Sequence, residues 1–487
     1  MYYLSLDIGT TGGKTLLFSQ DMQLRQLYQQ DYPTHHNSTD DEAEHDPQDW
    51  WAFAKHGVSR VLQAEGISGE AVAGIGLSCM TPVLLALDAD SRCLTRAWLW
   101  YDRRAAKMLP AIERAVPPER MAALCGSTCK EVSFLCKLLH FKSAQPELYA
   151  KTAAFVQANG YLVYRMTGRI TLDSSHGALL HLVEKESGRY CAELFDTFQI
   201  SRAKFPPLIP AAAVAGTLTE AAAAELGLSA GTPVVSGGHD SALSAYAFGL
   251  DTPGKACLDI GNAANLVMAA PDAVVCPAAD VYGYPEGGKW LFQIYSATCG
   301  AAFRWYRNTF GPRQPQTGVS DYDVLCAEAS RSPAGANGLI FLPYFQGAQQ
   351  CARLQASFRN MALHHTRADF VRAVLEGCAM SVRLNREQME QAAGFPINTL
   401  YACGGGAQNP FWLQIFADVL GVPVTADNIQ NAATTGAAML AYKTVTGKRP
   451  TVAGRVQRII QPLAENRAAY DAAYARFRAA MEQDMHV

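Results

Sequence analysis

Asp7-Ile8-Gly9-Thr10-Thr11-Gly12-Gly13-Lys14 lies close to the start of the chain, and the fold is read outward from it. Apolar residues Tyr2–Leu4 and Leu6 precede it, and the apolar run Thr15–Phe18 follows. Strand, Gly-containing turn and strand predict a β-hairpin. The glycines permit tight backbone geometry and leave N–H groups open to an anion. The Thr10 and Thr11 hydroxyls add donors for phosphate oxygens, and Lys14 adds a positive charge. Asp7, ending a buried strand, is an oxygen ligand of the kind hydrated Mg²⁺ accepts. The spacing fits neither a Walker A loop nor GxGxxG. An ordinary Gly-rich hairpin with a solvated Lys14 accounts for the same residues.

The pattern recurs about half a chain later. Leu258-Asp259-Ile260-Gly261 follows Ala256-Cys257 and leads to the apolar stretch Asn265–Met268. Two such hairpins suggest a duplication, each opening one of two similar domains. Around them strands and helices alternate, which implies α/β layers. Strands are predicted at 72–77, 83–87, 151–157, 233–236, 338–342 and 399–403. Helices are predicted at 47–62, 160–167, 367–393, 410–420 and 466–483. The Ala-rich stretch 211–224 reads as a surface helix or loop. The domain boundary is placed near 247, giving domains 1–247 and 248–487.

The chain has 487 residues, of which 49% are hydrophobic and 17% charged. Such a chain is not disordered and can bury a large core. With 41 Lys and Arg against 44 Asp and Glu, the formal charge is −3. That excludes the strongly basic footprint of proteins that bind nucleic acid through bulk charge. Asp7 interrupts the first apolar run, and no basic leader precedes it, so no signal peptide is expected. The uncharged stretch 71–87 contains Gly74, Gly76 and Pro82 and reads as a buried strand and loop, not a membrane span. The 13 cysteines form no CxxC pair and no regular framework, which suggests reduced thiols in a cytoplasm.

Several further segments occur in an order that resembles the FGGY carbohydrate kinases, of the actin-like ATPase superfamily. Residues 7–14 resemble that family's first phosphate motif. Trp100-Tyr101-Asp102-Arg103-Arg104 is similar to its W-x-D/C-x-R segment near the sugar. Gly237-Gly238-His239-Asp240 is similar to the segment carrying its catalytic aspartate. Leu258–Ala264 sits where its second phosphate motif belongs. Cys299-Gly300-Ala301-Ala302 resembles a nucleotide-contacting turn, and Gly404–Asn409 followed by Trp412–Gly421 resembles its adenosine motif. The resemblance covers essentially the whole chain. It implies two actin-like, ribonuclease H-like domains with an active-site cleft between them, and transfer of the ATP γ-phosphate to a sugar.

On that resemblance Asp240 is the general base, accepting the sugar hydroxyl proton as the bond to phosphorus forms. Capping of a helix that begins near Ser241 is a second role open to it. Thr10, Thr11 and Lys14 would hold the transferring phosphate, and Asp7 the Mg²⁺ shell. Gly261 and Asn262 would approach the phosphates; the family usually has Thr where this chain has Asn262. Gly300, Gly405 and Gly406 would let adenosine lie against backbone. Gln408 and Asn409 would offer amide edges, although Asn409-Pro410 also makes a good helix start. Met80, Thr81, Asp102, Arg103 and His239 are the sugar-side candidates, while Trp100 reads as core. Glycerol kinases carry Arg-Glu, and xylulose kinases Met-His, where this chain has Met80-Thr81 or Thr81-Pro82. The family's P-K-L-x-W segment appears here as Cys136-Lys137-Leu138-Leu139-His140. These departures imply a less common branch.

The expected activity is that of an ATP- and Mg²⁺-dependent kinase acting on a small sugar, most simply a ketopentose. The alternatives are a kinase of another polyol or hydroxylated signal molecule, a sugar or nucleotide sensor, and an assembling actin-like ATPase. No nucleic-acid or membrane partner is expected, and a homodimer through the amphipathic C-terminal helix is compatible with the sequence.

Overall fold

A computed structural model describes the chain except residues 38–40, 273–274, 277, 312–319, 348–352, 430 and 486–487. The chain folds into two compact units. The first comprises Met1–Asp251, Pro271–Leu291 and Asn431–Gly454; the second comprises Thr252–Ala270, Phe292–Gln430 and Arg455–Val487.

The first unit is built on a six-stranded sheet. Its order is Val214–Thr217, Pro233–His239, Val72–Cys79, Tyr2–Ile8, Gly12–Ser19, Leu24–Asp31. The opening hairpin pairs Asp7 with Lys14 across its two strands. Val72–Cys79 runs parallel to the first strand and pairs Ser78 with Asp7. Pro233–His239 is parallel to Val72–Cys79 in turn, with a register shift between Val235 and Gly238. The strand read at 233–236 therefore continues through both glycines to His239, whose neighbour Asp240 begins the helix Asp240–Phe248.

The second unit repeats this plan. Its sheet runs Trp290–Ser296, Ala264–Ala270, Lys255–Ile260, Thr399–Cys403, Val424–Asp427, Gln457–Ile460. Lys255–Ile260 and Ala264–Ala270 form the hairpin, with Thr399–Cys403 and Val424–Asp427 following in parallel and Gln457–Ile460 closing antiparallel. Each hairpin therefore heads the same succession of parallel, parallel and antiparallel strands. The local repeat in the sequence is a repeat of topology.

The helices follow their capping chemistry. Pro47–Glu65 begins after Asp46, whose carboxylate accepts the Gln48 N–H at 2.9 Å, and ends at Gly66 with φ of 72°. Its Trp50, Trp51, Ala54 and Val58 are buried against the first sheet. Arg367–Ala393 opens on a capping box between Thr366 and Asp369. The predicted strand 151–157 is shorter, at Ala154–Val156, because Pro146 starts a helix that runs to Lys151. The Ala-rich stretch divides into an edge strand, Val214–Thr217, and a Thr219-capped helix, Glu220–Leu226.

One late helix belongs to the first unit. Ala432–Thr446 lies so close to the first sheet that a Cβ on Gly76 would meet the Ala437 carbonyl oxygen at 2.1 Å. On the same helix, a Cβ at Gly436 would meet the Leu243 carbonyl oxygen at 2.0 Å. Such approach is open only to glycine.

Candidate active site

In the first unit, the strand ends of the opening hairpin, Val72–Cys79 and Pro233–His239 bring Asp7, Lys14, Ser78 and Asp240 into one region. The turn after Asp7 is tight: the Gly9 N–H reaches the Gly12 carbonyl at 3.1 Å, and the Tyr32 hydroxyl donates to the Gly9 carbonyl at 2.7 Å. Gly9, Gly12 and Gly13 do not have left-handed backbones. What Gly12 and Gly13 supply is room. A Cβ at Gly12 would meet the Gln30 carbonyl oxygen at 2.5 Å, and one at Gly13 would meet Phe53 at 2.4 Å. Thr11 is exposed at the tip, and Thr10 is half-buried.

Asp7 accepts the Ser78 hydroxyl at 2.7 Å. Burial pushes its carboxyl up to about 6; the Ser78 bond and the Lys14 charge oppose this, and the Asp240 charge adds to it. Thr434, carried by the late helix Ala432–Thr446, also favours the charged form of Asp7.

Asp240 opens its helix, and His239, which makes no side-chain cap bond, occupies the N-cap. The Asp240 carboxylate accepts the Ser241 N–H at 2.7 Å, yet its side chain is 58% exposed. Crowding at the strand end raises its pKa, but His239 and the Ser241 donors pull harder and leave it below the usual aspartate value. Burial pushes the His239 imidazole down, so at neutral pH the ring is uncharged. Its Nδ1 lies 3.7 Å from the carboxylate, beyond hydrogen-bond range. The exposed carboxylate, held below its usual value by His239 and the Ser241 donors, is therefore anionic at neutral pH and free to accept a proton.

A buried polar group lies behind Asp240. The His239 N–H donates to Ser175 Oγ at 3.1 Å, and Ser175 Oγ donates to Asp173 at 2.6 Å. Asp173 also binds the His176 Nδ1 at 2.6 Å and the Asn159 amide. His239 is buried, its ring edge-on to Tyr282 with centroids 4.2 Å apart. It supports the strand end and presents no open surface.

The sugar-side candidates divide. Met80 is a core residue. Thr81 donates to the Gln157 carboxamide at 3.3 Å, and that same oxygen accepts the Val83 N–H at 2.7 Å; the Thr81-Pro82 peptide is cis. Asp102 is fully buried, and its oxygens are taken by the Ala43 N–H at 2.8 Å and by the Arg104 guanidinium. It secures its segment. Arg103 points away and pairs with Glu131 at the surface, so Arg104 is the arginine that fastens the segment. Trp100, expected in the core, is 37% exposed, and its indole N–H donates to Thr10 Oγ1 at 2.9 Å.

In the second unit, two turns interlock. The Gly261 carbonyl accepts the Gly300 N–H at 2.9 Å, and the Asn262 carbonyl accepts the Cys299 and Ala301 N–H groups at 2.7 and 3.1 Å. A Cβ at Gly300 would lie 2.4 Å from the Gly261 oxygen. The backbone of Asn262 thus does the holding, while the residue itself is exposed. Gly404 has φ of 84°, Gly406 packs against Ile260 and Trp412, and Gly405 has open space beside it. Asn409 caps Pro410–Leu420 through the Trp412 N–H at 3.1 Å and donates to Asp323 at 3.1 Å, which commits its amide to structure. Gln408, exposed, is the remaining amide of that turn.

Three residues beside these sites were given no role from the sequence: Ser78, Thr434 and Lys137. Lys137 was noted there only within Cys136–His140, the counterpart of the family's P-K-L-x-W segment.

Comparison with known proteins identifies the family. The model of the FGGY family of carbohydrate kinases, N-terminal domain, matches residues 2–247, and that of its C-terminal domain matches 261–445. Xylulose kinase of Bacillus subtilis is 28% identical over 448 residues, covering 90% of this chain and 87% of that protein. The L-xylulose/3-keto-L-gulonate kinase of Escherichia coli is 27% identical over 405 residues, covering 82% of this chain and 79% of that protein. The crystal structure of xylulose kinase from Rhodospirillum rubrum superposes with a TM-score of 0.91 at 26% identity, covering 99% of both chains. With both domain models matched in order, the chain belongs to the FGGY family of carbohydrate kinases.

Proposed function

We propose that this kinase transfers the γ-phosphate of MgATP to a terminal hydroxyl of a ketopentose, with xylulose the first candidate. The observation that carries the reading is the open, anionic carboxylate of Asp240 at the start of its helix, close enough for its charge to act on Asp7. A sugar hydroxyl is barely ionised at neutral pH, and a carboxylate in hydrogen-bond reach accepts its proton as the bond to phosphorus forms. Thr10, Thr11 and Lys14 orient the transferring group. Gly261, Asn262, Gly300, Gly405, Gly406 and Gln408 are read as the nucleotide contacts of the second unit. The ketopentose assignment rests on the relatives named xylulose kinase.

The residues suit Mg²⁺. Among the described residues no group of three or more His, Cys, Asp or Glu could hold a metal alone. Asp7 is a single hard oxygen ligand that needs phosphate oxygens and water to complete a shell. Its raised pKa, fed by burial and by Asp240, marks a carboxylate short of positive charge. When bound, Mg²⁺ supplies neutralisation of phosphate charge. The twelve described cysteines are free thiols, which supports a reducing cytoplasm. No described helix is long and apolar enough to cross a membrane.

The test is ADP release from MgATP with D-xylulose, L-xylulose, ribulose, glycerol and 3-keto-L-gulonate, for wild type and Asp240→Asn. Sugar-dependent release with a ketopentose, lost in the variant, is the expected result. Release independent of sugar that survives the substitution overturns the assignment.

A further inference from the structure

Lys137 lies on the helix Phe134–Ala144, and its side chain has no exposed surface. Its ammonium donates to the Pro82 carbonyl at 3.2 Å and to the Trp100 carbonyl at 3.2 Å. Among the described residues, no carboxylate forms an ion pair with it. A buried ammonium without a contacting anion is costly, and burial drives its pKa down to about 7 against the pull of Asp102. A Leu or Met there would avoid that cost. The two carbonyls it holds belong to the two segments on the sugar side. Pro82 follows Met80-Thr81, and Trp100 opens the segment of Asp102 and Arg104. Trp100 in turn reaches the phosphate turn through Thr10. Gln157 fastens the other side of the Thr81–Val83 loop. One nitrogen atom therefore joins the loop, the Trp100 segment and, through the indole, the phosphate turn.

We infer that Lys137 is a positioning residue for the sugar, holding the Met80–Pro82 loop against the Trp100 segment without touching substrate. The inference rests on the ketopentose reading for its kinetic consequence and on the two carbonyl contacts alone for its structural one. Lys137→Met removes the donors at similar length, whereas Lys137→Gln restores two N–H donors without charge.

The experiment has two readouts. In steady-state kinetics with D- and L-xylulose, Lys137→Met is expected to raise KM for the ketopentose about tenfold while KM for MgATP stays within about twofold, and Lys137→Gln to recover part of the loss. In hydrogen–deuterium exchange without substrate, Lys137→Met is expected to speed exchange selectively in peptides covering 80–84 and 97–104. If Lys137→Met does not fold, Lys137→Gln against wild type carries both comparisons, with smaller changes in the same segments. An unchanged sugar KM, equal losses for sugar and ATP, or exchange raised evenly across the first unit overturns the proposal. Wild-type enzyme inactive on every ketopentose overturns the ketopentose reading instead, and the exchange pattern then decides on Lys137.

Discussion

The Trp100 indole N–H donates to the Thr10 hydroxyl at 2.9 Å, tying the Trp100–Arg104 segment to the turn read as holding the transferring phosphate. A displacement of either is felt by the other, which matters where reacting atoms must meet within a fraction of an ångström. Trp100→Phe keeps an aromatic ring and removes the donor. A neutral hydrogen bond contributes about 1 kcal/mol, so kcat/KM for the sugar should fall roughly fivefold. Thr10→Val should produce a similar loss, and the double variant should be no worse than the poorer single one. A double-mutant cycle in kcat/KM checks this; strictly additive losses would sink the coupling.

Asp240→Asn is expected to lower kcat at least about 100-fold, the usual scale of a lost general base. The side chain is 58% exposed, so the melting temperature should scarcely move. A thermal melt beside the kinetics separates lost chemistry from lost fold.

Asp7 gives a pH signature of opposite sign to the usual surface carboxylate. Its folded-state pKa is raised from 3.8 to about 6, so folding favours its protonated form, and the ionised form costs stability. That cost is absent below the unfolded value and grows until pH passes the folded one, reaching on the order of 3 kcal/mol before solvent and Mg²⁺ relieve it. Asp7→Asn should therefore stabilise the metal-free protein at pH 8 and make little difference near pH 4, while abolishing turnover. Denaturant melts at the two pH values measure it; equal shifts at both would contradict the buried-carboxyl account.

Two glycines should respond in opposite ways. Gly76→Ala places a methyl group 2.1 Å from the Ala437 carbonyl oxygen, so strand or helix must shift. A loss of about 2–3 kcal/mol is expected, read as a lower denaturant midpoint. Gly405→Ala meets nothing within 4 Å and should leave that midpoint unchanged. If adenosine lies against Gly405, KM for ATP rises severalfold. Unchanged ATP kinetics would remove Gly405 from the nucleotide site.

Much of the scaffold could be read locally because its signals are local. The helix Arg367–Ala393 has the predicted limits, set by its own capping box at one end and Gly394 at the other. Both hairpins follow from apolar runs flanking a Gly-containing turn, and their repetition suggested a duplication, while the strand order of the two sheets was not read from the sequence. Side-chain roles were less legible. Asp102 and Arg103 both look like sugar ligands in the sequence. Three-dimensional packing spends Asp102 on Ala43 and Arg104 and sends Arg103 to Glu131. Trp100 read as core because tryptophan is usually buried, and nothing nearby announced a partner ninety residues earlier. Thr434 comes to Asp7 from near the other end of the chain, a proximity no local pattern encodes. Lys137 was visible only within the Cys136–His140 segment, and the two carbonyls it holds come from stretches no local pattern connects to it.

The return of Ala432–Thr446 to the first unit has a consequence for biosynthesis. While residues 1–251 emerge from the ribosome, the sheet face around Gly76 lacks the helix that covers it. The first unit therefore completes its packing only after most of the second has been translated, so the two mature together and not in sequence. A gene fragment ending near residue 251 should express as an aggregating half-core. Supplying 271–291 and 431–454 along with 1–251, fused through flexible linkers, is the rational route to an isolated first unit.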